Sequence, residues 1–243
     1  MCGRFTLIRL SDFTDLFPWL NAAGVDWEAR YNIAPSQPAL VVTNGGHKQV
    51  EIFQWGLVPF WAKDIAIGNK MINARGETLL DKPAFRTLLK RRRCIVPASG
   101  FYEWQKTDAK TKTPMYITPT DSAVFTLAGL WDIWRSPDGS ELPTFTIITT
   151  SPNKLMQQVH DRMPVILDRS DVDRWLTPGE LSDPPTDLVK PFAASRMQMH
   201  AVSRAVNSPA SQGPHLIDVA TPEPAEPSKK PPSPPPGLFD GME

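Results

Sequence analysis

Val124-Phe125-Thr126-Leu127-Ala128-Gly129-Leu130 is an apolar run with the length and the branched and aromatic content of a buried strand. The same reading fits Ala39 to Val42, Val50 to Gln54, Cys94 to Pro97, Met115 to Ile117, Thr144 to Thr149 and Val165 to Leu167. Many of these segments are separated by Gly, Pro, Asn or Asp. Strands at this density, without a regular strand–helix alternation, predict an α+β fold. Its core would be a mostly antiparallel curved sheet or barrel flanked by short helices. Leu10, Phe13, Leu16, Phe17 and Leu20 have helical spacing and predict a helix from Leu10 to Leu20. Ser151-Pro152 reads as the cap and first turn of a helix running to about His160. Asp171 to Leu176 reads as another short helix.

The chain has 243 residues, of which 41% are hydrophobic, with 8 Trp and 11 Phe, enough to bury a sizeable core. Its 26 acids balance its 26 bases, so net charge names no partner. The distribution is less even: Trp61 to Arg93 carries nine bases against three acids. That excess suits a polyanion such as nucleic acid, although a solvated helical face gives the same pattern. Residues 1–215 read as one catalytic domain. From Leu216 the composition changes, and eight of the 26 prolines fall between Thr221 and Pro236. Residues 216–243 are therefore expected to form an extended tail with no core of their own. Its partner, if it has one, is not readable.

The two cysteines, Cys2 and Cys94, form no CxxC pair, no zinc spacing and no disulfide framework, so neither metal nor cofactor is expected. No apolar stretch approaches a membrane span, and no signal peptide is evident. A bacterial cytoplasmic protein, associated with the nucleoid and monomeric, is the expectation.

Polar residues recur where strands and turns meet apolar walls. Cys2 follows the initiator methionine, and loss of Met1 would leave an α-amine and a thiol on adjacent carbons. That pair condenses with an aldehyde to an imine and then closes a five-membered thiazolidine. Taken alone, Cys2 is also an ordinary small residue at a chain end. Arg4 places a permanent cation beside it. Tyr31-Asn32-Ile33-Ala34-Pro35-Ser36 reads as a turn. Asn73 and Arg75 are two apart and face the same way on an extended chain, where they could hold an oxyanion. Glu103 lies between Tyr102 and Trp104, where desolvation raises a carboxyl pKa and suits it to proton transfer. His160 is one of four histidines and suits acid–base work. Trp61 could stack on a base. Each residue alone also has a plain structural reading.

Together the segments are specific. Cys2-Gly3-Arg4-Phe5, Tyr31-Asn32-Ile33-Ala34-Pro35, Trp55-Gly56-Leu57-Val58-Pro59, Asn73-Ala74-Arg75, Gly100-Phe101-Tyr102-Glu103-Trp104 and His160-Asp161-Arg162-Met163-Pro164 occur in this order. The chain from Cys2 to about Gln212 resembles the SOS-response-associated peptidase (SRAP) family. The resemblance implies covalent capture of abasic sites in single-stranded DNA through Cys2 after removal of Met1. It implies catalytic roles for Cys2, Asn73, Glu103 and His160. Phosphate contacts are expected from Arg4, Arg75 and Arg162, and base stacking from Trp61 and Trp104. Autopeptidase and DNA lyase activities are expected alongside. Two rival readings fit the same residues: a thiol peptidase with Cys2 as nucleophile, and a non-catalytic single-strand binding module.

Overall fold

The computed structural model describes residues 2–107 and 111–220. The expected tail from 221 onward lies outside the described residues, as does Met1. The strands are β1 (Arg4–Leu7), β2 (Arg30–Ile33), β3 (Pro38–Thr43), β4 (Val50–Trp55), β5 (Asn73–Arg75) and β6 (Arg93–Ala98). They continue with β7 (Gly100–Lys106), β8 (Lys112–Pro119), β9 (Phe125–Arg135), β10 (Glu141–Thr150), β11 (Met163–Pro164) and β12 (Met197–Ala201). The helices are α1 (Leu10–Leu16), α2 (Pro83–Arg91) and α3 (Val172–Trp175), with several short 3-10 turns between them.

The opening apolar run forms most of β9, which pairs antiparallel with β10 and with β6. β6 pairs with β3, β3 with β4, and β4 runs parallel to β10, so five strands close into a ring. β5 and β11 add to the free part of β10. A second, antiparallel sheet has the order β12-β8-β7-β1-β2. This is the barrel-and-sheet α+β fold expected from the strand density. The two sheets are joined by the chain itself, because β6 passes through Ser99 directly into β7. The Ser99 N–H donates to the Thr6 carbonyl (2.8 Å) and the Ser99 hydroxyl accepts from the Ile8 N–H (3.0 Å). Gly100 is obligatory at this crossing, since a Cβ there would lie 2.5 Å from the Tyr116 ring.

Four local expectations are corrected. α1 stops at Leu16, because Pro18 disfavours the helical conformation at Phe17, which lies at φ −130°, ψ 80°. The helix expected from Ser151 is only a 3-10 turn at Met156–Gln158. Asn153, not Ser151, caps it, accepting from the Met156 N–H at 2.9 Å. Arg30–Ile33 is a strand, so the turn begins only after Ile33; Ser36 within it has φ 68°. Val165 to Leu167 forms an isolated bridge beside β9 rather than a strand of its own. The Asp171 to Leu176 helix is present as α3, preceded by a 3-10 turn at Arg169–Asp171. Leu216, at the compositional break, is fully buried, and the Ala220 N–H donates to the Ala201 carbonyl at 2.8 Å.

Three of the nine bases between Trp61 and Arg93, namely Arg86, Lys90 and Arg91, lie on α2, where the helical-face reading holds. Pro83 starts the helix, Phe85, Leu88 and Leu89 face the core at i, i+3, i+4, and Lys90 and Arg91 sit at its C-terminal end. Arg93 is not a surface cation at all. It is fully buried, and its guanidinium donates to the carbonyls of Leu89 (2.9 Å), Lys90 (2.6 Å), Trp175 (2.8 Å) and Thr177. It thus satisfies the open C-terminal carbonyls of α2 and ties that helix to α3. Arg93→Met keeps the bulk but orphans these acceptors. The expected loss is about 3 kcal/mol, or roughly 10 °C in Tm for a chain of this size. Thermal unfolding checks it; a shift of only a degree or two would contradict the clamp.

Candidate active site and nucleic-acid face

β1 lies antiparallel to β7, with Arg4 opposite Tyr102 and Phe5 opposite Phe101. This register brings the residues before Arg4 alongside Glu103. β5 lies parallel to β10, with Asn73 opposite Ile147. The Asn73 side-chain amide crosses from the barrel to the sheet and donates to the Cys2 carbonyl at 2.8 Å. The Asn73 Oδ1 is buried and accepts no hydrogen bond among the described residues. His160 sits between the 3-10 turn and β11, which pairs with the end of β10. Four residues distant in sequence thereby share one corner of the barrel–sheet junction.

Cys2 has 0% exposure. Burial, and after it the neighbouring Glu103 carboxylate, pushes its thiol well above the ordinary cysteine value. Glu103 is buried in β7. Desolvation raises its carboxyl pKa; nearby His160 and the Trp104 N–H pull the other way without cancelling it. The raised Glu103 pKa expected from its aromatic setting is thus present, with burial as the cause. The His160 Nδ1 accepts from the Arg162 N–H at 3.0 Å and lies 2.7 Å from the Asp161 carboxylate. The first contact requires an unprotonated Nδ1, whereas the second is made by a protonated one. The second becomes an ion pair only when the ring is charged. The two contacts compete for one nitrogen.

The expected DNA-contacting residues divide into two groups. Trp61 is 54% exposed, beside Phe60 at 68%, and the Arg75 side chain is exposed. The Phe60–Trp61 loop is held from behind. The Val58 N–H donates to Thr144 Oγ1 (2.9 Å), the Phe60 N–H to Asp132 Oδ2 (2.9 Å), and the Trp134 indole to the Ala62 carbonyl (2.7 Å). Two large apolar rings are therefore presented to solvent on a fixed backbone.

The other three are engaged within the protein. Arg4 donates to Asn32 Oδ1 and the Val206 carbonyl, both at 2.8 Å, and to the Asn207 carbonyl at 3.2 Å. The Trp104 indole donates to Asn207 Oδ1 at 2.7 Å. Arg162 donates through both Nη atoms to the Glu77 carboxylate at 2.7 and 2.9 Å, and to the Thr149 carbonyl at 2.6 Å.

Asn32 is the residue the sequence misjudged most. It is fully buried, and its amide nitrogen donates to the carbonyls of Val206, Ser208 and Ser211. With Arg4, Trp104 and Gln212, it clasps the 206–212 segment across the second sheet. Its partners lie 174 to 179 residues away. No local pattern could have announced them. Phe60 and Glu77 were also missed, although both flank residues that were chosen.

Residues 1–209 match the family model described as SOS response associated peptidase (SRAP). The chain belongs to that family. It is 47% identical over 225 residues to the abasic site processing protein YoqW of Bacillus subtilis, covering 90% of this chain and 99% of that one. It is 31% identical over 232 residues to the abasic site processing protein HMCES of Xenopus tropicalis, covering 82% and 68%. Its fold is similar to a crystal structure of a protein from Bacteroides thetaiotaomicron, with a TM-score of 0.81 at 27% identity, covering 90% of this chain and all of that one. No helix among the described residues is long and apolar enough to cross a membrane.

Proposed function

We propose that this protein senses abasic sites in single-stranded DNA and captures them covalently through Cys2 once Met1 is removed. The observation that carries the reading is the position of Cys2 at the chain start, held by Asn73 through its carbonyl and coupled electrostatically to Glu103. The relatives named abasic site processing proteins support the same substrate.

An abasic sugar in its open form is an aldehyde at C1′. The Cys2 amine, with a reference pKa of about 8, attacks that carbon. Loss of one water gives an imine. The thiol then adds across the C=N bond, sulfur to carbon and proton to nitrogen, and closes the thiazolidine. The net loss is one water. Because the thiol is held protonated, its proton needs a carrier, and Glu103 is the buried carboxyl beside it. The same group would protonate the departing amine when Met1 is cleaved and assist reversal of the ring. Asn73 orients Cys2, and its buried Oδ1, which accepts nothing among the described residues, would accept from a sugar hydroxyl. His160 would act at the sugar ring oxygen and favour opening. An imine at C1′ also permits β-elimination, so weak strand-nicking is expected where ring closure is blocked.

A thiol peptidase acting on other proteins is the rival reading. Turnover of peptide substrates in trans would favour it over capture. Single-turnover cleavage after its own Met1 remains part of the proposal. We further place the protein in the bacterial cytoplasm at the nucleoid, as a monomer.

The test is a denaturing gel comparing abasic with undamaged single strands; a slower band only with the abasic strand supports capture, and equal mobility refutes it. On the binding side, Trp61→Ala should weaken affinity for undamaged single strands about tenfold, the contribution of one stacked base. Fluorescence anisotropy reads it. An unchanged Kd would remove Trp61 from the DNA face.

A further inference from the structure

Arg75 and Arg162, two of the three arginines expected to grip phosphates, both act on one carboxylate. Glu77 follows Arg75 by two residues at the end of β5 and pairs with Arg162 through two parallel hydrogen bonds of 2.7 and 2.9 Å. The Arg162 side chain is only 15% exposed, whereas Glu77 is 51% exposed. The Arg162 Nε is buried and donates to nothing among the described residues. The guanidinium is thus fixed in the wall, with its fork turned toward a carboxylate that stands in solvent. Arg75 and Arg162 both pull the Glu77 carboxyl below its usual range, Arg162 more strongly. Gly76 between them packs too tightly against Val189 to accept a side chain, since a Cβ would lie 2.3 Å from Val189 Cγ1. Glu77 is the solvent-facing member of the pair.

We propose that Glu77 is a built-in phosphate surrogate: its carboxylate occupies the Arg162 fork in the empty protein, and a DNA backbone phosphate must displace it. This rests on the reading of the site as a single-strand DNA site. A carboxylate and a phosphate oxygen pair present the same bidentate geometry to a guanidinium. The exchange replaces one ion pair by another, so Arg162 adds little to the affinity for any passing strand. Undamaged DNA is then released readily, while an abasic strand is kept by the covalent step. Glu77 would set selectivity for the lesion by restraining non-covalent binding.

Salt dependence distinguishes this role from a merely structural one. A phosphate that meets an already neutralised arginine releases no extra counterion on its account. Glu77→Gln frees the fork, so affinity for an undamaged oligothymidylate should rise about fivefold, the upper range of one exposed ion pair. The slope of log K against log salt should steepen by about 0.7, the increment for one more phosphate contact on a single strand. In an Arg162→Gln background, the same substitution should change neither quantity. Equal or weaker binding by Glu77→Gln with an unchanged slope would overturn the proposal and identify Glu77 as a support for Arg162. If the wild-type protein neither binds the oligothymidylate nor forms an adduct with an abasic strand, the DNA reading itself falls. If it forms the adduct while Glu77→Gln leaves affinity and slope unmoved, only the surrogate role falls.

Discussion

Protein carrying Cys2→Ala should form no adduct with abasic single-stranded DNA that survives heating in denaturant. Alanine is small enough for a cellular aminopeptidase to remove Met1, so an α-amine would still be present and could still form an imine. The imine hydrolyses; only the thiol can close it into a ring. Borohydride should therefore trap a cross-link with the alanine protein that disappears without reductant. Strand-nicking should increase at the same time, because nothing diverts the imine from β-elimination. Cys2 is fully buried, but exchanging it for alanine removes a single sulfur from the core, at a cost of about 1 kcal/mol. Loss of the adduct would not be loss of the fold. A heat-stable adduct from the alanine protein would show that another nucleophile does the work.

Glu103→Gln should slow both Met1 removal and ring closure by about a hundredfold or more, the usual contribution of one positioned proton carrier. Glutamine keeps the shape and loses the titration. The stability effect should have the opposite sign. Burial raises the Glu103 pKa in the folded state above its unfolded value of about 4.3. Such a group contributes stability that is fully present below the unfolded pKa and is lost as pH rises through the folded one. The neutral glutamine does not suffer that loss. The substituted protein should therefore melt above wild type at neutral pH, and the gap should close as the pH is lowered below 4. Lower activity together with higher stability is the signature of a residue placed for chemistry. Unchanged processing and capture rates would remove Glu103 from the mechanism.

How much of this was legible in the sequence varies by element. β9 and β10 were read from their branched and aromatic runs because they are buried on the barrel wall, where composition alone marks a strand. α2 is legible only as a charged helical face, without bounds, because Lys82, Arg86 and Lys90 to Arg93 surround the three apolar residues that face the core. Arg93 shows why: its role depends on carbonyls of α3, more than eighty residues later. At the site, short motifs single out Cys2, Asn73, Glu103 and His160. The Asn73 bond to the Cys2 carbonyl joins two of them across 71 residues. Arg4, Trp104 and Arg162 stand out by charge or aromaticity, and both properties are silent about partners. Their donors turned out to be engaged by Asn207, Val206 and Glu77, contacts that only the folded chain creates.

The most direct measurement of the central claim is the intact mass of the protein before and after incubation with a single-stranded oligonucleotide carrying one abasic site. Loss of Met1, followed by a gain equal to the oligonucleotide minus one water, is the predicted result. A Met1-free protein that gains no mass would contradict covalent capture through Cys2.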